Sequence, residues 1–287
     1  MLTAVTDLLH SRNLLQADDE PGYNITVISE HISHVAVYAG GGASFHVKVK
    51  ECGRWPNEYA NYCEAERVFP QQVPKLLARE LTGNREVIAF QGVPHSRIAV
   101  GGIARARSRL SGEILRFFQT SGTAARIAEP AITHRAFLRE VAGRAADTNC
   151  AAIVGAWMAT PSIDALPHIR QHGDLVLSNL GLTRAGLVVF DWEDFGQVAL
   201  PGLDICTLLA SDTQFNAATL RAIMDASGPL PDGYAVLLDR GCRAIGLEPE
   251  LFRQLLPLYL VIFLDLKRDY GSAIARTVRN LVHELAL

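Results

Sequence analysis

The chain has 287 residues, 49% of them hydrophobic and 20% charged. That is enough apolar side chain to bury one large core or two modest ones, and it excludes a disordered chain and a disulfide-stapled miniprotein. The 27 basic and 30 acidic side chains leave a formal net charge of −3, which argues against a general nucleic-acid or polyanion binder.

Residues 3–15 carry apolar positions at helical spacing and predict a short helix. Residues 23–29, 35–39 and 44–50 are rich in β-formers, with Gly40–Gly42 punctuating the last two, and read as an antiparallel meander. A helix over 58–69 follows, entered through Trp55, Pro56 and Asn57. Two more strands are expected at 73–78 and 86–91. From about residue 104 the texture turns helical, with helices predicted at 104–120, 134–146 and 153–158. Two short apolar runs, 175–177 and 187–190, interrupt it. Helices resume at 203–210, 217–226, 233–245, 250–270 and 272–285, with Pro257 expected to bend or divide the penultimate one. A β-rich lobe over 1–93 and a helical lobe over 94–287 are therefore expected, an α+β architecture with a ligand cleft between two lobes.

The N-terminus lacks a basic n-region followed by a long apolar stretch, so no signal peptide is read there. The most apolar run, 255–264, is about half of the ~20 residues a membrane span needs, and Asp265, Lys267 and Arg268 follow at once. Five scattered cysteines, Cys52, Cys63, Cys150, Cys206 and Cys242, include no CxxC pair. They read as reduced thiols of a cytoplasmic protein, not as a zinc site.

The chemistry concentrates in HGDLVLSNLGLTRAGLVVFDWEDFGQVALPGLD, residues 172–204. Asp174 and Asn179 lie five residues apart in a loop bounded by apolar runs. Asp191 directly follows a strand-like run. A hairpin turn over 181–186 would carry Asp191 back beside Asn179. A carbonyl oxygen and carboxylates converging there suit Mg²⁺, which takes few protein carboxylates and completes its shell with water and phosphate. Asp174, slightly offset, is placed to accept a proton from an attacking hydroxyl.

HGDxxxxN followed by an apolar strand and DWE resembles the aminoglycoside phosphotransferase and choline kinase-like family, small-molecule kinases with a protein-kinase-like fold. The resemblance implies that Asp174 is the catalytic base and that Asn179 and Asp191 bind Mg²⁺. It gives His172 a structural role, and it matches the family's later GxxxxD element only loosely at Gly202–Asp204. In the first lobe, Phe45–Val49 (FHVKV) has the pattern of the kinase strand whose lysine holds the α/β-phosphates, which nominates Lys48. Lys50 lies on the same strand face and competes with it. The CEAERVF helix resembles the family's EAxxL helix and nominates Glu64 as the lysine's partner, with Glu58 as fallback. No GxGxxG and no GxxxxGK[ST] occurs. Residues 29–34 occupy that place as a polar loop, with Ser33 as a phosphate contact and His31 and His34 as loop histidines. The EVIAFQG segment stands at the adenine-binding hinge, with backbone groups at Phe90 and Gly92 facing the base.

Five arginines between 101 and 126 (Arg105, Arg107, Arg109, Arg116, Arg126) read first as a solvated helix face with an Arg109–Glu113 pair, and second as a cradle for an anionic substrate. The implied activity is transfer of phosphate from ATP, or another nucleoside triphosphate, to a hydroxyl of a small molecule with Mg²⁺. The acceptors in view are a sugar, an amino alcohol or an aminoglycoside-like compound. The alternatives are a kinase acting on a peptide or protein and a non-catalytic nucleotide-binding pseudokinase. Asp204 follows Asp191 by only thirteen positions, a short platform for a peptide.

Overall fold

The computed structural model describes residues 1–16, 19–29, 31–39, 44–52, 58–105, 109–145, 147–226, 229–268 and 273–285. Gly40–Gly42, Trp55–Asn57 and Arg107 lie outside them. The chain forms two compact units, Met1–Ser96 and Arg97–Leu287.

The first unit is a five-stranded antiparallel sheet in the order β1-β2-β3-β5-β4. Its strands are β1 (Gly22–Ser29), β2 (Ile32–Tyr38), β3 (Ser44–Glu51), β4 (Leu76–Thr82) and β5 (Arg85–Gln91). Strand alternation gives the sheet two different faces. Val35, Val37, Phe45, Val47, Val49, Val87 and Ala89 point one way and pack with Val5, Leu8 and Leu9 of α1 (Leu2–Ser11). The other face carries Lys48, Lys50, Ile88 and Phe90 and meets α2 (Glu58–Val68) through Tyr62, whose ring centroid lies 4.4 Å from that of Phe90. Strand β4 runs several residues past its expected end. Gly83, at φ 61°, and Asn84 make the tight turn to β5, the residue pair a two-residue hairpin favours.

The second unit is helical: α3 (Arg109–Thr123), α4 (His134–Gly143), α5 (Thr148–Met158), α6 (Leu203–Asp212), α7 (Ala217–Met224), α8 (Asp232–Val236), α9 (Cys242–Ala244), α10 (Pro249–Leu266) and α11 (Ala273–Leu285), with a π turn at Leu237–Gly241 between α8 and α9. Asp147 caps α5 by accepting the Cys150 N–H at 2.9 Å, a bond that starts the helix five residues earlier than the apolar pattern alone suggests. Pro257 sits inside α10 without dividing it. Phe252, Leu255, Leu256, Leu258, Tyr259, Leu260 and Phe263 of α10 are all fully buried or nearly so, so packing outweighs the proline's missing hydrogen bond. All five cysteines are free thiols, and burial raises the thiol pKa of Cys206 and Cys242. Among the described residues no helix is long and apolar enough to cross a membrane.

One buried pair gives the second unit a pH dependence. The rings of His134 and His168 stack at 3.7 Å. Burial, then the neighbouring His168, lowers the His134 pKa from 6.5 to about 4. The unfolded chain therefore takes up a proton below about pH 6.5 that the folded chain refuses until about pH 4. Stability present above pH 6.5 is lost across that window, by no more than about 3 kcal/mol. His134→Gln retains a donor toward the Leu166 carbonyl and does not titrate. Its unfolding midpoint should fall less than that of wild type between pH 7 and pH 4.5 in denaturant titrations; equal falls would clear His134.

Candidate active site

In the second unit the site is built on the turn Gln171–Asp174, held by the start of α6 through reciprocal capping. The Gln171 side-chain carbonyl accepts the N–H groups of Gly202 and Asp204, each at 3.1 Å. In return the Asp204 carboxylate accepts the N–H groups of His172 at 2.8 Å and Gly173 at 2.9 Å. Asp204 is 2% exposed. Burial raises its pKa, against the opposing pull of His172 and these two donors. Gly173 has φ 87°, and a Cβ there would lie 2.8 Å from that of Asp194, so both its backbone and its space require glycine.

His172 orients the turn from within. Its Nε2 lies 2.8 Å from the Phe190 carbonyl and so donates, which leaves Nδ1 to accept the Asp174 N–H at 3.3 Å. Trp192 packs edge-on to the same ring at 4.7 Å and donates Nε1–H to the Val189 carbonyl at 2.8 Å. It is fully buried, a core anchor and not a stacking platform for substrate.

The hairpin that returns the chain is β6 (Leu180–Leu182) against β7 (Leu187–Val189). Phe190 N–H then donates to the Asn179 carbonyl at 2.8 Å, which places Asp191 one residue beyond Asn179's backbone partner. Asp191 holds a left-handed backbone, φ 63° and ψ 61°, at a cost of about 1–2 kcal/mol for a residue with a Cβ. Such strain is typical of functional positions. A carboxylate oxygen of Glu193 lies within 4.8 Å of one of Asp191. The Asn179 amide nitrogen donates to Asp174, to its carbonyl at 2.9 Å and to Oδ2 at 3.5 Å, so the bonds to Asp174 use its nitrogen and not its oxygen. The Asp191 and Glu193 carboxylates, with the Asn179 amide oxygen if it joins them, would make an all-oxygen donor set of the kind a hard divalent cation takes. Glu193 is the donor the sequence reading left out, although it stands in the DWE motif.

The Asp174 carboxylate has a second, unexpected neighbour. Lys267, the residue that caps α10, places Nζ 3.0 Å from Asp174 Oδ2 and 2.8 Å from Asp194 Oδ2. Burial alone would lower the lysine's pKa, but the two aspartates outweigh it and raise it. Burial raises the pKa of Asp194, and Lys267 opposes that rise.

In the first unit, Lys48 and Lys50 are both buried, at 4% and 3% exposure. Burial therefore does not choose between them. Lys48 lies 3.0 Å from Glu58 Oε1, and Lys50 lies 3.1 Å from both Glu58 Oε2 and Glu86 Oε2. Arg79 completes the chain of charges at 2.6 Å from Glu86. The buried carboxylate beside Lys48 is thus Glu58, not Glu64, which sits on a more exposed side of α2 and pairs with Arg67 at 3.2 Å. Ser33 is also displaced from its expected place. It belongs to β2, in register with Val49, on the sheet face opposite Lys48. Phe90 is buried against Tyr62. The Gly92 N–H is spent on the Ser44 carbonyl at 2.8 Å, so it has no donor left for a base. His31 pairs with Glu51 at 2.8 Å. The Arg109–Glu113 pair is likewise replaced. Arg109 donates to the carbonyls of Thr183 and Arg184, at 2.5 and 2.7 Å, while Glu113 pairs with Arg116 at 2.8 Å.

Comparison with known proteins identifies the family. The model of the phosphotransferase enzyme family matches residues 24–237, well over half of the chain. The chain belongs to that family. Solved structures with the same kinase-like fold include a thermostable mutant of aminoglycoside phosphotransferase APH(4)-Ia in ternary complex with ADP and hygromycin B, at 12% identity and TM-score 0.62, with 92% of this chain and 93% of that one covered. Amicoumacin kinase hAmiN in complex with AMP-PNP, Ca²⁺ and Ami aligns at 13% identity and TM-score 0.61, covering 99% of this chain and 92% of that one. Macrolide 2′-phosphotransferase MphH from Brachybacterium faecium aligns at 16% identity and TM-score 0.59, covering 99% and 97%. No curated protein matches the sequence. The α+β architecture read from the sequence is thereby shown, and so is the family.

Proposed function

We propose that this member of the phosphotransferase family is a small-molecule kinase that transfers the γ-phosphoryl group of ATP, or of another nucleoside triphosphate, to a hydroxyl group. The observation that carries the reading is the Asp174–Asn179–Asp191 constellation, fixed by Asp204 below and by the β6–β7 hairpin behind. Asp174 receives the acceptor's hydroxyl proton. The acceptor oxygen bonds to the γ-phosphorus as the bond from phosphorus to the bridging oxygen breaks, and the nucleoside diphosphate leaves with that electron pair. Asn179, Asp191 and Glu193 would hold a divalent cation, whose charge would offset that of the phosphates when bound. Lys48, oriented by Glu58, is assigned to the nucleotide phosphates. Little covalent chemistry falls to the protein, so positioning and charge neutralisation supply the acceleration.

A small acceptor is favoured over a peptide by the segment after Asp191. Trp192–Asp194 form one 3₁₀ turn, Trp192, Phe195, Val198 and Leu200 are buried, and α6 begins at Leu203. That segment is core and offers no extended docking surface of its own. The test is unfolding by heat with ATP alone and with ATP plus Mg²⁺, followed by a screen of hydroxyl compounds for ATP consumption. Firm ATP binding without transfer across a broad screen would turn the reading to a pseudokinase. Asp191→Ala should abolish the Mg²⁺-dependent part of the ATP stabilisation and leave the unliganded protein folded. An unchanged Mg²⁺ increment would remove Asp191 from the cation site.

A further inference from the structure

We propose that Lys267 is a positioning residue that locks the Asp174 carboxylate for transfer; this rests on the assignment of Asp174 as the proton acceptor. Lys267 Nζ and Asn179 Nδ2 both address the same oxygen, Asp174 Oδ2, at 3.0 and 3.5 Å. The carboxylate therefore cannot turn about its terminal bond without giving up both contacts, and Oδ1 is the oxygen presented to an acceptor hydroxyl. Lys267 is itself fixed. It is 7% exposed, its backbone N–H donates to the Phe263 carbonyl at 3.1 Å at the end of α10, and Asp194 holds its ammonium at 2.8 Å. Asp194 is in turn steadied by the Gln197 amide, which donates to Oδ1 at 2.8 Å. The Asp194 side chain is 5% exposed and that of Asp174 17%, so the rigid inner pair presents its charge to the outer, working carboxylate. An ammonium this deeply buried needs such pairing, because an uncompensated buried charge is costly. A pair with Asp194 alone would meet that need. The second contact, to Asp174, is the one that bears on chemistry.

The experiment compares Lys267→Met, Lys267→Arg and Asp174→Asn in ATP turnover with Mg²⁺, using an acceptor found in the screen or, without one, water as the phosphoryl acceptor. Lys267→Met should lower kcat by about 10- to 100-fold, the loss expected when a catalytic group is misplaced by roughly 1 Å, with KM for ATP within about twofold of wild type. Lys267→Arg should recover part of kcat. A purely structural lysine would lower the unfolding temperature without giving this split between kcat and KM. If Lys267→Met does not fold, the double variant Lys267→Met with Asp194→Asn removes both buried charges together and should show the same loss of kcat. A kcat within twofold of wild type in either protein, beside an impaired Asp174→Asn, overturns the proposal and leaves the kinase reading standing. Wild-type turnover in Asp174→Asn overturns the kinase reading instead.

Discussion

Asp174→Asn should turn over about 10²- to 10⁴-fold more slowly than wild type, the usual cost of removing a general base, and still bind ATP with Mg²⁺ as wild type does. The separation follows from the geometry. Asn is nearly isosteric with Asp, and the contacts that hold the turn at 172–174 come from Asp204, Gln171 and His172, none of which needs the Asp174 charge. Lys267 keeps Asp194 as its counter-ion, so the substitution strands no buried ammonium. The measurement is transfer to the acceptor beside nucleotide binding on one preparation. Equal losses in both would show that the substitution has damaged the nucleotide site as well, and the division of labour proposed for the loop would fail.

Glu58→Ala is the substitution expected to cost most in stability. It removes a fully buried carboxylate that lies 3.0 Å from one buried ammonium and 3.1 Å from another. Removing one member of a buried pair typically costs about 3–5 kcal/mol. Lys50 retains Glu86 at 3.1 Å, which softens the loss on its side. Glu64→Ala breaks an exposed i,i+3 pair with Arg67, a kind of pair worth about 0–1 kcal/mol, and should cost far less. Denaturant titration of the two variants side by side decides between the glutamates. A Glu64→Ala variant as damaged as Glu58→Ala would put Glu64 back beside the lysine.

The sequence made some of this legible and hid the rest for identifiable reasons. The constellation at 172–191 is local: two turns and a hairpin, with spacing that survives translation into three dimensions. The strand around Lys48 is also local, although alternation could not separate it from Lys50, and the structure buries both. Glu58 was readable, and stands only as the fallback to Glu64. Glu58, Tyr62, Ala65 and Phe69, all buried, recur at helical spacing on one face, and Glu64 falls off that face. The likeness of CEAERVF to a family helix outweighed the phase of the apolar residues. Ser33 depended on where the β1–β2 turn ends, and a shift of one residue in a strand moves a side chain to the other face. Asp204 carried a faint signal, because Gly202–Asp204 is compact and fits the family's spacing loosely. Lys267 carried none. Its partners are far away in the chain, and no local pattern announces a contact of that range.

That range has a consequence for the chain as it is made. Synthesis runs from the N-terminus, and the turn at 171–174 is not held by its near neighbours alone. Its clamp, Asp204, follows 31 residues after Gly173. The lysine facing Asp174 arrives later still, 73 residues beyond Asp194. A nascent chain that has just exposed HGDLVLSN therefore carries Asp174 without Asp204 and Lys267. On the roles proposed above, Asp174 gains the lysine that aims it only once α10 has been made and folded.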